Sequence, residues 1–447
     1  EHMAPSPVFF PEDLIGEIFS VLPVKSILRF RCLSKSYDTL ISHPVFVKLH
    51  LKKSTSQNPQ FLLITDHDVR IPGPGFSPDG SDAEYDRDRG IIPYSIRSLF
   101  ENPSFTISVD PFYLMENKGC SRIVGSCNGL ICLAGDSYDE YQKYWLRLWN
   151  PATRIISPTF GYFHEECNPR DEDIPFLFDG YYKFSFGCDN STDTYKVVAY
   201  RYNKRQRRSN VRILSLGDNV WRDIESFPVD PILLDSPCQD FEYDGLYFRS
   251  TINWLAIPNE IDCNVYDTKD IPVEQFVIVS LDLTTETYNR YLLPRDFDEM
   301  PHRIPTICLL GDSLCFSYFY KKTDFIIWQM KKFGVEDSWT QFLKVSCHNL
   351  QIDDDLSDEH FIKYSLRLEP LFLSEDGDTL VLDYCQDFQA IIYNRRNNRV
   401  ERTNITALRR INDDVRQRLW CTSAISLARL ARIRREDQQL IYLGEKG

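Results

Sequence analysis

The sequence predicts a mainly β protein that opens with a small α-helical unit and continues as a β-propeller-like body of six blades. Three observations carry this expectation. Near the N-terminus apolar residues recur at helical spacing, whereas beyond about Ser54 they fall in short alternating runs divided by Gly, Asp and Asn turns. The β-rich stretch repeats a four-strand plan at intervals of about 50 to 65 residues. The chain has 447 residues, 43% hydrophobic and 13% aromatic, enough apolar material for one large core beside a small one.

The helical unit begins at "PEDLIGEIFSVLP". Leu14, Ile15, Ile18, Phe19 and Leu22 fall at i, i+1, i+4, i+5 and i+8, a helical stripe. Pro11 suits a helix start, Glu12 and Asp13 suit the positive end of its dipole, and Pro23 ends it. A second helix carries Val24, Ile27, Leu28 and Cys32 on one face. Ser36 is expected to cap a short third helix with Tyr37, Leu40 and Ile41, closed by Pro44. So small a unit buries little surface alone, so its apolar face wants cover, either the next domain or another protein.

In the body five units share one plan: strand, Gly or Asp turn, strand, alternating apolar strand, turn, polar or aromatic return strand. Examples are "GSCNGLICLAG" followed by "YWLRLWNPATRIISP", and "YKFSFGCDNSTDTYKVVAYR" followed by "NVRILSLGDNVWRDI". The third strands align at Leu148-Trp149-Asn150, Leu214-Ser215-Leu216, Ser280-Leu281-Asp282, Trp328-Gln329-Met330 and Ile392-Tyr393-Asn394. Four-stranded units repeated in this way read as propeller blades. A sixth is expected to join Phe61 to about Asp110 with the C-terminal tail, closing the ring. A β-sandwich followed by a second β domain is the alternative.

A net charge of −14 argues against a nucleic-acid-binding body, and no apolar run is long enough to cross a membrane. Thirteen cysteines, without repeated spacing or a C-x-x-C pair, read as reduced thiols of a cytoplasmic or nuclear protein. There is no nucleophile elbow, zincin motif, Walker loop or dinucleotide fingerprint, so no cofactor, metal or catalytic activity is expected. His164-Glu-Glu-Cys167 offers too few ligands for a metal, and Asp353 to Asp355 read as a solvated loop. "KRQRRSNVR", from Lys204, reads as a charged hairpin loop, with nuclear import or an acidic partner as the alternative.

Pro11-Glu12-Asp13-Leu14, Ile18, Leu22-Pro23-Val24-Lys25-Ser26, Arg29-Phe30-Arg31-Cys32, Ser34-Lys35-Ser36 and Ile41-Ser42 closely resemble the F-box of plant F-box proteins. Phe10 and Tyr37 depart from it, standing where that family usually has Leu and Trp. "LWNPATR", "LYFRSTINWLA", "LDLTTETYNRYLLP" and "WQMKKFGVEDSW" resemble the F-box-associated, kelch-like region of the same proteins, including S-locus-type and defence-related members. The resemblance implies an F-box over residues 4–50 and a target-binding propeller over 58–445. It implies a non-catalytic receptor of a Skp–cullin–F-box ubiquitin ligase, joined through a Skp-type adaptor to cullin and RING subunits and holding a protein target for degradation. A propeller scaffold outside any ligase is the alternative. Adaptor contact is expected from Pro11, Leu14, Ile15, Ile18, Leu22, Pro23, Leu28, Cys32, Tyr37 and Ile41, with positive charge from Arg29, Arg31 and Lys35 at the rim. Target contact is expected from loops on one face, notably Tyr162, Phe163, Phe176 and Phe178 and the loop from Ile257 to Pro272.

Overall fold

The computed structural model describes residues 11–55, 61–72, 85–108, 118–120, 122–138, 141–151, 153–166, 182–203, 208–232, 245–257, 272–299, 301, 305–321, 323–352, 368–384, 389–408 and 419–420. Four helices come first: α1 (Glu12–Phe19), α2 (Val24–Arg31), α3 (Lys35–Ser42) and α4 (Pro44–Thr55). Pro11 and Pro23 precede α1 and α2 in extended conformation. The cap of α3 is Ser34, not Ser36: its Oγ accepts from the backbone N–H of Tyr37 at 3.1 Å. Pro44 does end α3, but by opening a fourth helix as its first residue, the one helical position that needs no N–H donor.

The rest is mainly antiparallel sheet. After β1 (Phe61–Pro72), β2 (Tyr85–Ser95), α5 (Ile96–Glu101) and β3 (Ser104–Ser108), a first sheet comprises β4 (Arg122–Cys127), β5 (Leu130–Tyr138), β6 (Tyr141–Asn150), β7 (Ile155–Ile156) and β8 (Phe160–Glu166). The second holds β9 (Lys183–Asp189), β10 (Thr194–Asn203), β11 (Arg208–Ser215) and β12 (Trp221–Ile224). The third holds β13 (Asp230–Pro231), β14 (Leu246–Phe248), β15 (Thr251–Ile257), β16 (Val277–Asp282) and β17 (Thr287–Leu292). The fourth holds β18 (Thr306–Leu310), β19 (Ser313–Tyr320), β20 (Asp324–Met330) and β21 (Trp339–Ser346). The fifth holds β22 (Leu368–Leu373), β23 (Thr379–Tyr384), β24 (Gln389–Asn394) and β25 (Arg399–Arg402), and β26 (Asn404–Leu408) and β27 (Leu419–Trp420) follow.

The aligned triplets end the third strands β6, β11, β16, β20 and β24, or in the second sheet overrun β11 by one residue. The repeat records a turn. Asn150, Asp282 and Asn394 each accept, through Oδ1, a backbone N–H two or three residues on, at 3.2, 2.7 and 3.1 Å. Each of the five turns then places one residue in the left-handed region: Arg154, Asn219, Glu286, Gly334 and Asn398.

Packing separates a propeller from a sandwich. A sandwich sheet buries one face; here the middle sheets bury two. In the second sheet Val197, Ala199 and Leu214 pack with the first, while Val198, Tyr200, Val211 and Ile213 pack with the third. Further cores lie between the third and fourth sheets, around Ile278 and Phe316, and between the fourth and fifth, around Ile327 and Leu382. Both faces of β15 are buried along its whole length, and from Trp254 to Ile257 it reads as an unbroken apolar run rather than an alternation. Polar ties reinforce the junctions. Lys196 Nζ reaches Glu286 at 2.9 Å, Arg222 reaches the same carboxylate at 2.8 Å, and the Asn190 N–H donates to Ser250 Oγ at 3.0 Å.

The expected sixth unit is present as two smaller pieces. β27 pairs antiparallel with β1, beside β2, so C-terminal and N-terminal strands of the body do meet. β3 and β26, however, pair in parallel, from Asn404 opposite Ser104 to Leu408 opposite Ser108. Two strands running the same way cannot be neighbours in an up-and-down meander, so this piece departs from the four-strand plan.

Candidate functional site

The four helices close a core of their own. Phe19, Ile27, Ile41 and Phe46 are buried, with Ile15, Leu22, Phe30, Tyr37 and Leu40 packed around them. Phe19 stacks on Phe30 at 4.7 Å between ring centres, and Tyr37 meets Phe19 edge-on at 5.3 Å. Buried His50 ties α4 to the end of α1, a ring nitrogen lying 3.0 Å from the Leu22 carbonyl oxygen; burial lowers its pKa against that bond.

The residues expected to face an adaptor therefore divide. Ile41 is 0% exposed and Tyr37 lies in the aromatic cluster, so both hold the helices together. Ile15 and Leu22 are half-spent in the same core, and Leu28 is half-buried. Leu14 and Ile18 instead stand 52% and 53% exposed on α1, and Pro11, Pro23 and Cys32 are exposed beside them. Sequence reasoning missed three exposed apolar residues of the helical unit, Val21, Leu33 and Val45, which are 54%, 69% and 67% exposed. Val21 completes the Leu14–Ile18 spacing at i+7, a visible signal passed over because Pro23 drew the helix end close. Of the expected rim charges, Arg29 and Lys35 are exposed, but Arg31 is held by Asp38 at 2.7 Å.

In the body, the turn after β9 faces the helices: Asp193 there is paired with Lys48 of α4. The short turns between first and second and between third and fourth strands gather at this end, where Arg249 of the third sheet pairs with Asp312 of the fourth. The connections that follow Glu166, Ile232, Ile257 and Ile352 leave from the opposite end. Tyr162 is exposed on β8 next to Gly161, whose N–H donates to Asn219 Oδ1 in the β11–β12 turn at 3.1 Å, on the short-turn side of the strand. Phe163 is not available: it is buried against Tyr144 at 5.0 Å, Tyr182 at 5.1 Å and Trp221 at 5.2 Å, because alternate residues of β8 turn inward to the junction with the second sheet. Phe176, Phe178 and the 258–271 stretch lie outside the described residues.

Over the buried aromatics sits a polar lid. Glu165 accepts from Tyr182 at 3.1 Å, Arg201 at 3.3 Å and Arg212 at 3.5 Å, and Arg212 also donates to Asp223 at 2.9 Å. Burial, with the adjacent Glu165 charge, pushes the Tyr182 hydroxyl up to about 12. Among the described residues no group of three or more His, Cys, Asp or Glu is placed to hold a metal ion, and no helix is long and apolar enough to cross a membrane.

Residues 87–427 match the sequence model of the F-box associated beta propeller domain. The chain belongs to that family. Similar proteins include F-box/kelch-repeat protein At3g23880 of Arabidopsis thaliana, 26% identical over 76% of this chain and 80% of its own length. F-box protein CPR1 of the same plant is 26% identical over 75% of this chain and 72% of its own. Among solved structures, the β-propeller domain of the Trilobed protease from Pyrococcus furiosus covers 63% of this chain and 69% of its own with 8% identity and a TM-score of 0.31, too distant to add to the fold. This is an F-box protein of the plant F-box-associated type, with a β-propeller body. Its F-box-associated body offers a rigid frame with short turns at one end and long connections at the other.

Proposed function

We propose that this protein is the target receptor of a Skp–cullin–F-box ubiquitin ligase in the cytoplasm or nucleus. Residues 4–50 bind the Skp-type adaptor, which brings cullin and RING subunits, and residues 58–445 bind a protein target. One observation carries the reading: a helical unit that already has a closed core still exposes Leu14, Ile18 and Val21 in one stripe, on a chain of the F-box associated propeller family. Exposed apolar side chains aligned in this way mark a contact surface. The contribution of the chain to ubiquitin transfer is proximity. It forms no bond to ubiquitin, and holds a target lysine near the charged conjugating enzyme, raising its effective concentration.

The target is held at the end of the propeller that bears the long connections. The opposite end carries the Arg249–Asp312 tie between the third and fourth sheets and the Lys48–Asp193 contact to the helices. The test is co-purification of the full chain with a Skp-type adaptor and cullin from plant cells, followed by ubiquitin transfer to captured proteins. Recovery of the chain without adaptor would leave a propeller scaffold in its place.

A further inference from the structure

We propose that the β10–β11 edge of the second blade, around Arg201, Arg208 and Arg212, docks an acidic segment of the protein target. The proposal rests on the receptor reading and adds the chemistry of what is received.

The sequence supplies the first observation. From Arg201 through Arg212 the sequence has six Arg or Lys residues and no acid, in a chain whose net charge is −14. A local reversal of sign this strong sets up an attractive field for a short acidic segment, while the acidic remainder repels a long polyanion such as RNA. The fold supplies the second. Asn203 and Arg208 form the last pair of the β10–β11 ladder, at the end of the propeller that bears the long connections, away from Asp193 and the helices.

The third observation is preorganisation. Arg201 and Arg212 project from one face of the second sheet, toward the first, beyond the apolar layer that Ala199 and Leu214 form there. Glu165 anchors both, and the Arg201 guanidinium lies 5.0 Å from the centre of the Tyr182 ring. Arg208 is exposed at the hairpin edge. Guanidinium groups already fixed lose less freedom when a carboxylate arrives.

The test uses the full chain bound to its adaptor and a fluorescein-labelled peptide of repeated Glu-Ser, read by anisotropy. Saturable binding that weakens as salt is raised is expected, with a Lys-Ser peptide failing to bind. Arg208→Gln alone should weaken binding several-fold, and with Arg201→Gln by about tenfold or more, if each loses one charge-assisted contact. Melting curves of both variants are recorded beside that of the parent, and binding is scored on the folded fraction. No binding by the parent chain, undiminished binding by both variants, or equal binding of an RNA oligonucleotide would overturn the proposal. Adaptor retention is scored in the same samples. Its loss from the parent chain counts against the receptor reading, and the peptide result is read independently.

Discussion

Replacing Leu14 and Ile18 together by alanine separates contact from scaffold. Complete burial of a Leu or Ile side chain is worth about 1.5–3 kcal/mol, and each of these is already about half covered in the free chain, leaving about 1 kcal/mol apiece to be gained against a partner. The double substitution should then cost about 2 kcal/mol of adaptor affinity, a weakening of about thirtyfold. Neither side chain belongs to the helical core, so stability should change by no more than about 0.5 kcal/mol. Ile41→Ala makes the contrast: at 0% exposure it should cost about 2–5 kcal/mol of stability in the helical unit and lose adaptor binding only through unfolding. The assay is calorimetric titration of the full chain with purified adaptor, with circular dichroism melts run on the same samples. Binding of the Leu14/Ile18 double variant within about twofold of the parent would refute the reasoning, because so little lost energy means those side chains stay wet.

Gly187→Ala should destabilise the junction of the second and third blades by about 1–3 kcal/mol in a urea melt, since an added Cβ would sit 2.4 Å from Tyr247 and 2.8 Å from Leu283. Acid should loosen the same junction. Burial alone would raise the Asp189 and Glu286 carboxyls, but hydrogen bonds from Ser191, Thr284 and Thr192 to the first, and from Arg222 and Lys196 to the second, hold both below their usual range. Their stabilisation is therefore complete above the unfolded carboxylate range, about pH 4, and is lost as pH falls through the lower folded values, so Asp189→Asn should flatten the acid limb of a melting-temperature profile. Ending the chain after Asn412 removes the β27 partner of β1 and exposes a strand edge, which light scattering should register as aggregation.

What the sequence disclosed was local. Turn chemistry marks the ends of third strands, and a helical stripe marks α1, because both depend on residues a few positions apart. The cap of α3 was misplaced between two serines for the same reason: either could accept the bond, and only the backbone conformation at Ser34, extended at φ −156°, decides. Helix α4 hid behind Pro44, which stops one helix and starts another with equal ease. Contacts across a junction left no trace in the text. Lys196 and Glu286 stand in different repeats, and nothing near either names the other. Phe163 shows the limit most clearly. Its composition suited an exposed contact loop, but strand alternation placed it opposite Tyr182, inside. Burial and exposure of an aromatic look alike until the neighbouring sheet is present.

The pairing of β27 with β1 also sets a clock on synthesis. Thr65 and Asp66 leave the ribosome early, yet the strand that borders them holds Leu419 and Trp420. At cellular elongation rates that separation corresponds to a wait of roughly twenty seconds to more than a minute. For that interval the blades can form one after another while the first strand keeps an open flank, available to chaperones and to wrong partners alike. A message cut short, or a ribosome that stalls late, would release a protein whose blades are sound and whose edge is bare. Such a chain would then present the signature by which unfinished proteins are recognised.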